Sequence, residues 1–234
     1  MKQVSAMMMA LLAVLVAFST SHADYSQLVD RLGLNDYIDW ASVVAAGSEQ
    51  SPIYPTSNNG VGATVALEQN GTLYGLVQGT TWTGNFNDGE NLLYNGGSFG
   101  RAGAIEVEFP SPIYGGGANI QAGGTFGSFT ASVSAMGWST ETDSYYLLAT
   151  FSITGNSNGN GDGSAPFIGI VSSQADIYAL FFNAVGSNGD DFAINRLGFA
   201  TDRVPVPAPL LLLCPGLIVL VIMRRRTGVA RRGR

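Results

Sequence analysis

Three hydrophobic patterns follow one another along the chain. At the start, Lys2 precedes an uncharged apolar run over residues 7–18, and Ser21, His22 and Ala23 close it in small-x-small form. Such a run is short for a membrane span and fits a secretory signal peptide over residues 1–23, cut after Ala23. From residue 24 to 203 the apolar positions alternate with polar ones in short stretches. Phe129, Ala131, Val133 and Ala135 alternate with hydroxyl side chains, the mark of a strand with one buried and one wet face. Residues 145–154 read as its partner, with Leu147, Ala149, Phe151 and Ile153 set against Leu148, Thr150, Ser152 and Thr154. In residues 101–109, Ile105, Val107 and Phe109 share a face and Glu106 and Glu108 the other. Residues 167–171, 177–185 and 192–200 are further strands, and 177–185 is apolar on both faces, which places it centrally. Residues 39–44 begin the strands, and before them residues 26–34 predict a short helix with Leu28, Leu32 and Leu34 on one side, limited by Gly33.

Asn-Gly pairs at 59–60, 70–71, 95–96, 158–159, 160–161 and 188–189 fall between these runs as turn signals. Roughly eight to ten short strands with such turns predict an all-β fold: an antiparallel β-sandwich, of jelly-roll type, with a short N-terminal helix. Its span of residues 24–203 is ample for one domain with its own core.

The third pattern is the C-terminal segment, residues 204–234. Pro205, Pro207 and Pro209 favour an extended stretch over residues 204–209, and residues 208–223 carry no charge. As a helix those residues would cover about 24 Å, a short transmembrane helix. Arg224, Arg225 and Arg226 follow at once, with a basic tail to residue 234, so the positive-inside rule holds the C-terminus in the cytoplasm and everything before residue 204 is exported.

This order of proline motif, hydrophobic helix and arginine cluster resembles the PEP-CTERM sorting signal of Gram-negative bacteria, in its Val-Pro-x-Pro form. Val204, Pro205, Val206 and Pro207 stand where the family has its processing motif, and Arg224, Arg225 and Arg226 where it has its basic stop. The body over residues 117–202 is also loosely similar to the bodies of many such proteins. The resemblance implies an exosortase-type membrane protease as partner and transient residence in the inner membrane through the C-terminal helix. It further implies delivery to the cell surface or extracellular matrix, as a biofilm matrix component.

Charge sharpens the picture of the exported body. All seventeen acidic residues lie within it, opposed only by Arg31, Arg101, Arg196 and Arg203, which leaves it at −13 although the whole chain is at −6. Such a domain does not hold nucleic acid or dense anionic polymers by charge; neutral exopolysaccharide or cations suit it. The only Cys is Cys214, the only His is His22 and the only Lys is Lys2, all outside the body. Imidazole bases, thiolate nucleophiles, Schiff-base amines and His or Cys zinc sites are therefore excluded there, and the body is expected to be noncatalytic and free of cofactors, save for a structural Ca²⁺.

Three sets of side chains remain as candidates. Asn158, Asn160 and Asp162 alternate through a Gly-rich loop in the way a hard cation requires, and Asp190 and Asp191 are further oxygen ligands for Ca²⁺. An EF-hand beginning at Asn158 would need a glutamate where Gly169 stands, so a flexible hairpin loop is the plainer reading. Glu106 and Glu108, two apart on one strand, would lie about 6.6 Å apart at their Cα atoms, a spacing open to a carboxylate-based glycan hydrolase if one were held protonated. Solvent-facing charge is the plainer reading of the pair. Trp82, Tyr54, Tyr114 and Trp138 lie in turn-rich polar contexts and are candidate platforms for sugar rings, whereas Trp40, flanked by Ile38 and Val43, is expected in the core. The function that results is a noncatalytic, glycan-associated surface or matrix protein. A glycan hydrolase or a calcium-stabilised filament subunit are its alternatives.

Overall fold

In the computed structural model, which describes residues 23–69, 71–96, 103–124, 126–186 and 191–204, the alternating stretches are carried by two antiparallel sheets. The first strands are β1 (Tyr25–Leu28), β2 (Asp36–Ile38), β3 (Glu49–Gln50), β4 (Thr64–Leu67), β5 (Leu73–Val77) and β6 (Asn91–Tyr94). The longer ones follow: β7 (Ile105–Ile113), β8 (Gly115–Ala122), β9 (Gly127–Ser139), β10 (Ser144–Ser157), β11 (Phe167–Ser172) and β12 (Ile177–Gly186). Two short strands, β13 (Phe192–Ile194) and β14 (Leu197–Ala200), close the described chain.

One sheet has five strands in the order β10-β9-β12-β7-β4. The other has nine, with the path β1-β11-β8-β13-β6-β5-β3, while β14 joins β8 to β2. Their inner faces make one core in which Ile105, Val107, Val133, Leu180, Phe182, Ile168 and Ile170 are all fully buried. Phe109 of β7 meets Phe199 of β14 across that core with ring centroids 5.1 Å apart. The fold is thus the expected antiparallel β-sandwich, and β12 lies at the centre of its sheet as its two apolar faces require.

Close approach of the sheets depends on bare backbone in β8. A Cβ on Gly116 would stand 2.7 Å from Cδ1 of Leu180, which reaches across from β12. A Cβ on Gly117 would stand 2.5 Å from Cζ of Phe167 and 2.6 Å from the Ile168 carbonyl, so the Phe167 ring lies directly over the Gly117 backbone.

Four expectations need correction. Residues 26–34 are not a helix: residues 25–28 form β1, which pairs with β11 from Tyr25↔Ser172 to Leu28↔Gly169. A short helix of weak propensity yields to the hydrogen bonds offered by an open strand edge. Gly33 takes φ +88°, and Leu32 is 76% exposed, so the three leucines do not share a buried face. Residues 39–44 contain a 3-10 turn, Trp40–Ser42, because the Asp39 side chain accepts from the Ala41 N–H and caps it; Trp40 itself is fully buried, as expected. Residues 192–200 are two strands broken at Asn195 and Arg196. Fourteen strands are present among the described residues where eight to ten were expected, since several pair over only two to four residues.

A smaller departure concerns β10. A bulge between Leu147 and Ala149 turns Leu148 toward the core and leaves Leu147 60% exposed, which reverses the expected alternation at those two positions. The hairpin joining β9 to β10 also turns without an Asn-Gly pair, through Asp143 at φ +50°. The chain divides after Val204, and the whole unit from Pro205 to Arg234 lies outside the described residues. So do residues 1–22, and with them the expected signal peptide, proline motif beyond Val204, transmembrane helix and arginine stop. Among the described residues no helix is long and apolar enough to cross a membrane.

Replacing Gly117 by valine should lower stability by about 3 kcal/mol, because the new side chain meets backbone as well as the Phe167 ring. Gly62→Ala, in open space, should change it by less than about 0.5 kcal/mol. Urea denaturation midpoints of the two variants check this, and equal midpoints would contradict it.

Candidate functional site

The loop between β5 and β6 carries Trp82, and local hydrogen bonds fix its course. Thr81 Oγ1 accepts from the Val77 N–H at 2.8 Å, and the Trp82 N–H reaches the Val77 carbonyl at 3.0 Å. The indole is seated on two glycines: a Cβ at Gly84 would be 2.4 Å from Nε1, and one at Gly123 would be 3.1 Å from Cη2. Tyr94 packs against it with centroids 5.2 Å apart, and the Tyr94 hydroxyl donates to Asp191 Oδ2 at 3.1 Å. Burial and then Asp191 push that phenol well above its ordinary value, so it stays protonated and keeps donating. The indole N–H is buried and has no hydrogen-bond partner.

Beside this ring runs a groove of about 430 Å³ lined by Thr81, Trp82 and Thr83, by residues 121–124 and by Phe126. Phe126 is 61% exposed. Gln121 is buried at the groove's edge, where Oε1 accepts from the Asn85 N–H at 2.6 Å and Nε2 reaches the Asn158 carbonyl at 3.4 Å. A rigid amide, two threonine hydroxyls and two aromatic rings therefore border one cavity.

The proposed cation loop lies alongside and is held by Asn85. Its Oδ1 accepts from the Asn158 N–H at 2.6 Å, while Nδ2 donates to Ser164 Oγ at 2.7 Å and to the Asn156 carbonyl at 3.1 Å. Two of the loop's three candidate side chains accept bonds from within it. Asn158 Oδ1 accepts from the Asn160 N–H, and Asp162 accepts from the Ser164 N–H and, at 3.4 Å, from Asn160 Nδ2. Those Ser164 bonds hold the Asp162 carboxyl below the usual carboxylate range. Asp191 is taken by Tyr94, and Asp190 lies outside the described residues. Among the described residues no group of three His, Cys, Asp or Glu is placed to hold a metal ion.

The outer face of the five-stranded sheet brings other candidates together. Trp138 of β9 pairs with Tyr145 of β10, ring centroids 4.9 Å apart, and the Tyr145 hydroxyl donates to Glu108 Oε1 at 2.9 Å. Glu106 stands next to Glu108 on β7. Burial, then the charges of Glu108 and Glu68, push the Glu106 carboxyl up to about 7, and the two glutamates also share a hydrogen bond. They touch each other side by side on a sheet face instead of flanking a cleft.

The remaining aromatic candidates stand apart. Tyr54 is 69% exposed, and Tyr114 packs on the small cluster of Val171, Ala200 and Val204. Gln121, Phe126 and Tyr145 were not foreseen from the sequence. Phe126, bracketed by Gly-Gly-Thr and Gly-Ser, had the same turn-rich signature that singled out Trp82.

No family model matches the chain, and no curated protein matches it either. Among solved structures the chain is similar to the CBM22-1 and GH10 modules of the Clostridium thermocellum endo-1,4-beta-D-xylanase 10B complexed with xylohexaose, at 14% identity and a TM-score of 0.23, over 57% of this chain and 26% of that one. It is similar also to a mutant of CBM29-2, a family 29 carbohydrate binding module, at 12% identity and a TM-score of 0.15, over 81% of this chain and 99% of that one. The chain spans about a quarter of the xylanase chain, and both likenesses are slight.

Glu106 makes stability depend on pH. Its folded value of about 7 lies above the ordinary 4.5, so the folded state favours the proton. That contribution is full below pH 4.5 and is lost as pH rises through about 7. Glu106→Gln should therefore gain on the parent protein between pH 5 and pH 8, by about 1 kcal/mol given that this carboxyl is half exposed and screened. Thermal unfolding of both proteins across that range checks the sign, and parallel curves would contradict it.

Proposed function

We propose that this chain is an exported, noncatalytic sandwich of jelly-roll type that binds neutral glycan in the Trp82 groove. It is processed at Val204, Pro205, Val206 and Pro207 by an exosortase-type membrane protease and retained at the cell surface or in the extracellular matrix of a Gram-negative bacterium. The observation that carries the binding reading is the convergence of the seated Trp82 indole, the exposed Phe126 ring and the Thr81 and Thr83 hydroxyls on one groove. Sugar rings present apolar C–H faces to aromatic rings and hydroxyl edges to polar groups, so such a border suits them without charge. The delivery reading is supported by the proline motif, uncharged run and arginine cluster that follow the domain.

Hydrolysis is a second reading, favoured by the Glu106 carboxyl near neutrality beside Glu108. It requires turnover of a neutral polysaccharide that Glu106→Gln abolishes. On the binding account the same variant leaves glycan affinity unchanged.

Affinity electrophoresis through gels containing the host exopolysaccharide tests the groove. Phe126→Ala and Trp82→Ala should each weaken retardation about tenfold, and Tyr54→Ala should leave it unchanged. Equal retardation of all three variants would contradict the assignment. Intact mass of the mature protein tests delivery: the extracellular form should end between residues 204 and 209, and a form carrying the chain to Arg234 in the inner membrane would contradict processing.

A further inference from the structure

A second cavity, of about 560 Å³, opens where the strand breaks between β13 and β14. No apolar side chain lines it. Two of the exported body's four arginines, Arg31 and Arg196, meet there in a domain that is otherwise acidic. Arg31 lies over the Phe167 ring, 5.3 Å from its centroid, and its Nη2 donates to Asn195 Oδ1 at 2.7 Å and Asn119 Oδ1 at 3.2 Å. Its Nη1 is buried without a partner. Arg196, exposed at the rim, stacks on Tyr37 at 4.6 Å.

The charges in this cavity are kept apart. Glu90 spends one oxygen on Asn87 Nδ2 at 2.9 Å and the other on Asn195 Nδ2 at 3.0 Å, and Asp39 caps the Ala41 N–H. Carboxylates are thus bonded to neutral amides, and the buried guanidinium to neutral amide oxygens. Burial and then the repulsion of Arg196 pull Arg31 down to about 10 in spite of Glu90, although the three carboxylates of the lining, Asp39, Asp88 and Glu90, outnumber its two guanidiniums. A ligand carboxylate set between Arg31 and Arg196 would offset their mutual repulsion with charge-assisted hydrogen bonds.

We infer that the Arg31–Arg196 cavity binds the carboxylate of a uronic acid residue. The arginines take the carboxylate, and the amides and the Asp39 and Asp88 carboxylates take ring hydroxyls. A hydroxyl-rich ligand fits a lining without apolar side chains, and the body's balance of −13 favours isolated uronates among neutral sugars over a dense polyanion. This cavity is separate from the Trp82 groove, and its failure leaves that reading standing.

The test is a titration of isotopically labelled protein with the methyl glycosides of D-glucuronic and D-galacturonic acid, followed by NMR on the Asn119 and Asn195 side-chain amides. At least one uronide should shift both amides, and its methyl ester should not. Arg196→Gln should weaken binding about tenfold, while Arg203→Gln, the same charge change outside the cavity, should not. No shift with either uronide at roughly 20 mM, equal shifts with the esters, or equal loss in the two variants would overturn the assignment. So would equal shifts with N-acetylglycine, which offers a carboxylate without hydroxyls.

Discussion

The sandwich is organised around a buried break in hydrogen bonding. One edge of β8 is shared by two strands, β13 over residues 120–122 and β14 over residues 115–117, and the chain between them must satisfy its backbone away from water. Asn195 and Asn119 do so together. The Asn195 N–H reaches the Asn119 carbonyl at 3.1 Å, the Asn119 N–H returns to Asn195 Oδ1 at 2.9 Å, and the Asn195 carbonyl accepts from the Trp40 indole at 2.8 Å. Each such bond contributes about 1 kcal/mol, and leaving any partner unmet inside would cost more than that. The same amides then hold Glu90 and Arg31, so the polar cavity is the outward side of a structural necessity.

Glycine gives the arrangement its second condition. Because Gly117 has no side chain, Phe167 can lie on the strand, and the ring becomes the surface on which Arg31 rests. Gly84 and Gly123 do the same for Trp82 on the neighbouring end of the sheet. In both places bare backbone seats an aromatic ring, and the ring positions what a ligand would meet. The two cavities differ in charge for a reason of sequence alone: the Trp82 border has threonines and a glutamine, whereas the other receives two arginines together with Asp39, Asp88 and Glu90.

Much of the architecture was legible from periodicity. Residues 129–135 and 105–109 showed their buried and wet faces directly, because a strand covered on one side imposes period two on its side chains. The first thirty residues of the body were not legible in that way. Residues 25–28 become a strand because β11 offers an edge, a fact that lies about 145 residues away in the chain. The break at Asn195 was invisible for the same reason, since Ile194 and Leu197 read as one apolar stretch. Trp82 was found by its setting, but Gln121 and Phe126 reach it only through the fold. The Asn158 loop reads as a cation site because amide and carboxylate oxygens alternate in it; in the structure Asn158 Oδ1 and Asp162 accept from N–H groups of the loop itself, and the loop is docked by Asn85.

On the proposed reading, glycan contact lies around Trp82, in the loop joining β5 to β6, and not on the open outer face of the five-stranded sheet. Hydrogen–deuterium exchange of the domain over residues 24–203, with and without oligosaccharides from the host exopolysaccharide, measures this. Exchange should slow at residues 81–85 and 121–124. Slowing confined to β9, β10 and β7, around Trp138, Tyr145 and Glu108, would contradict it.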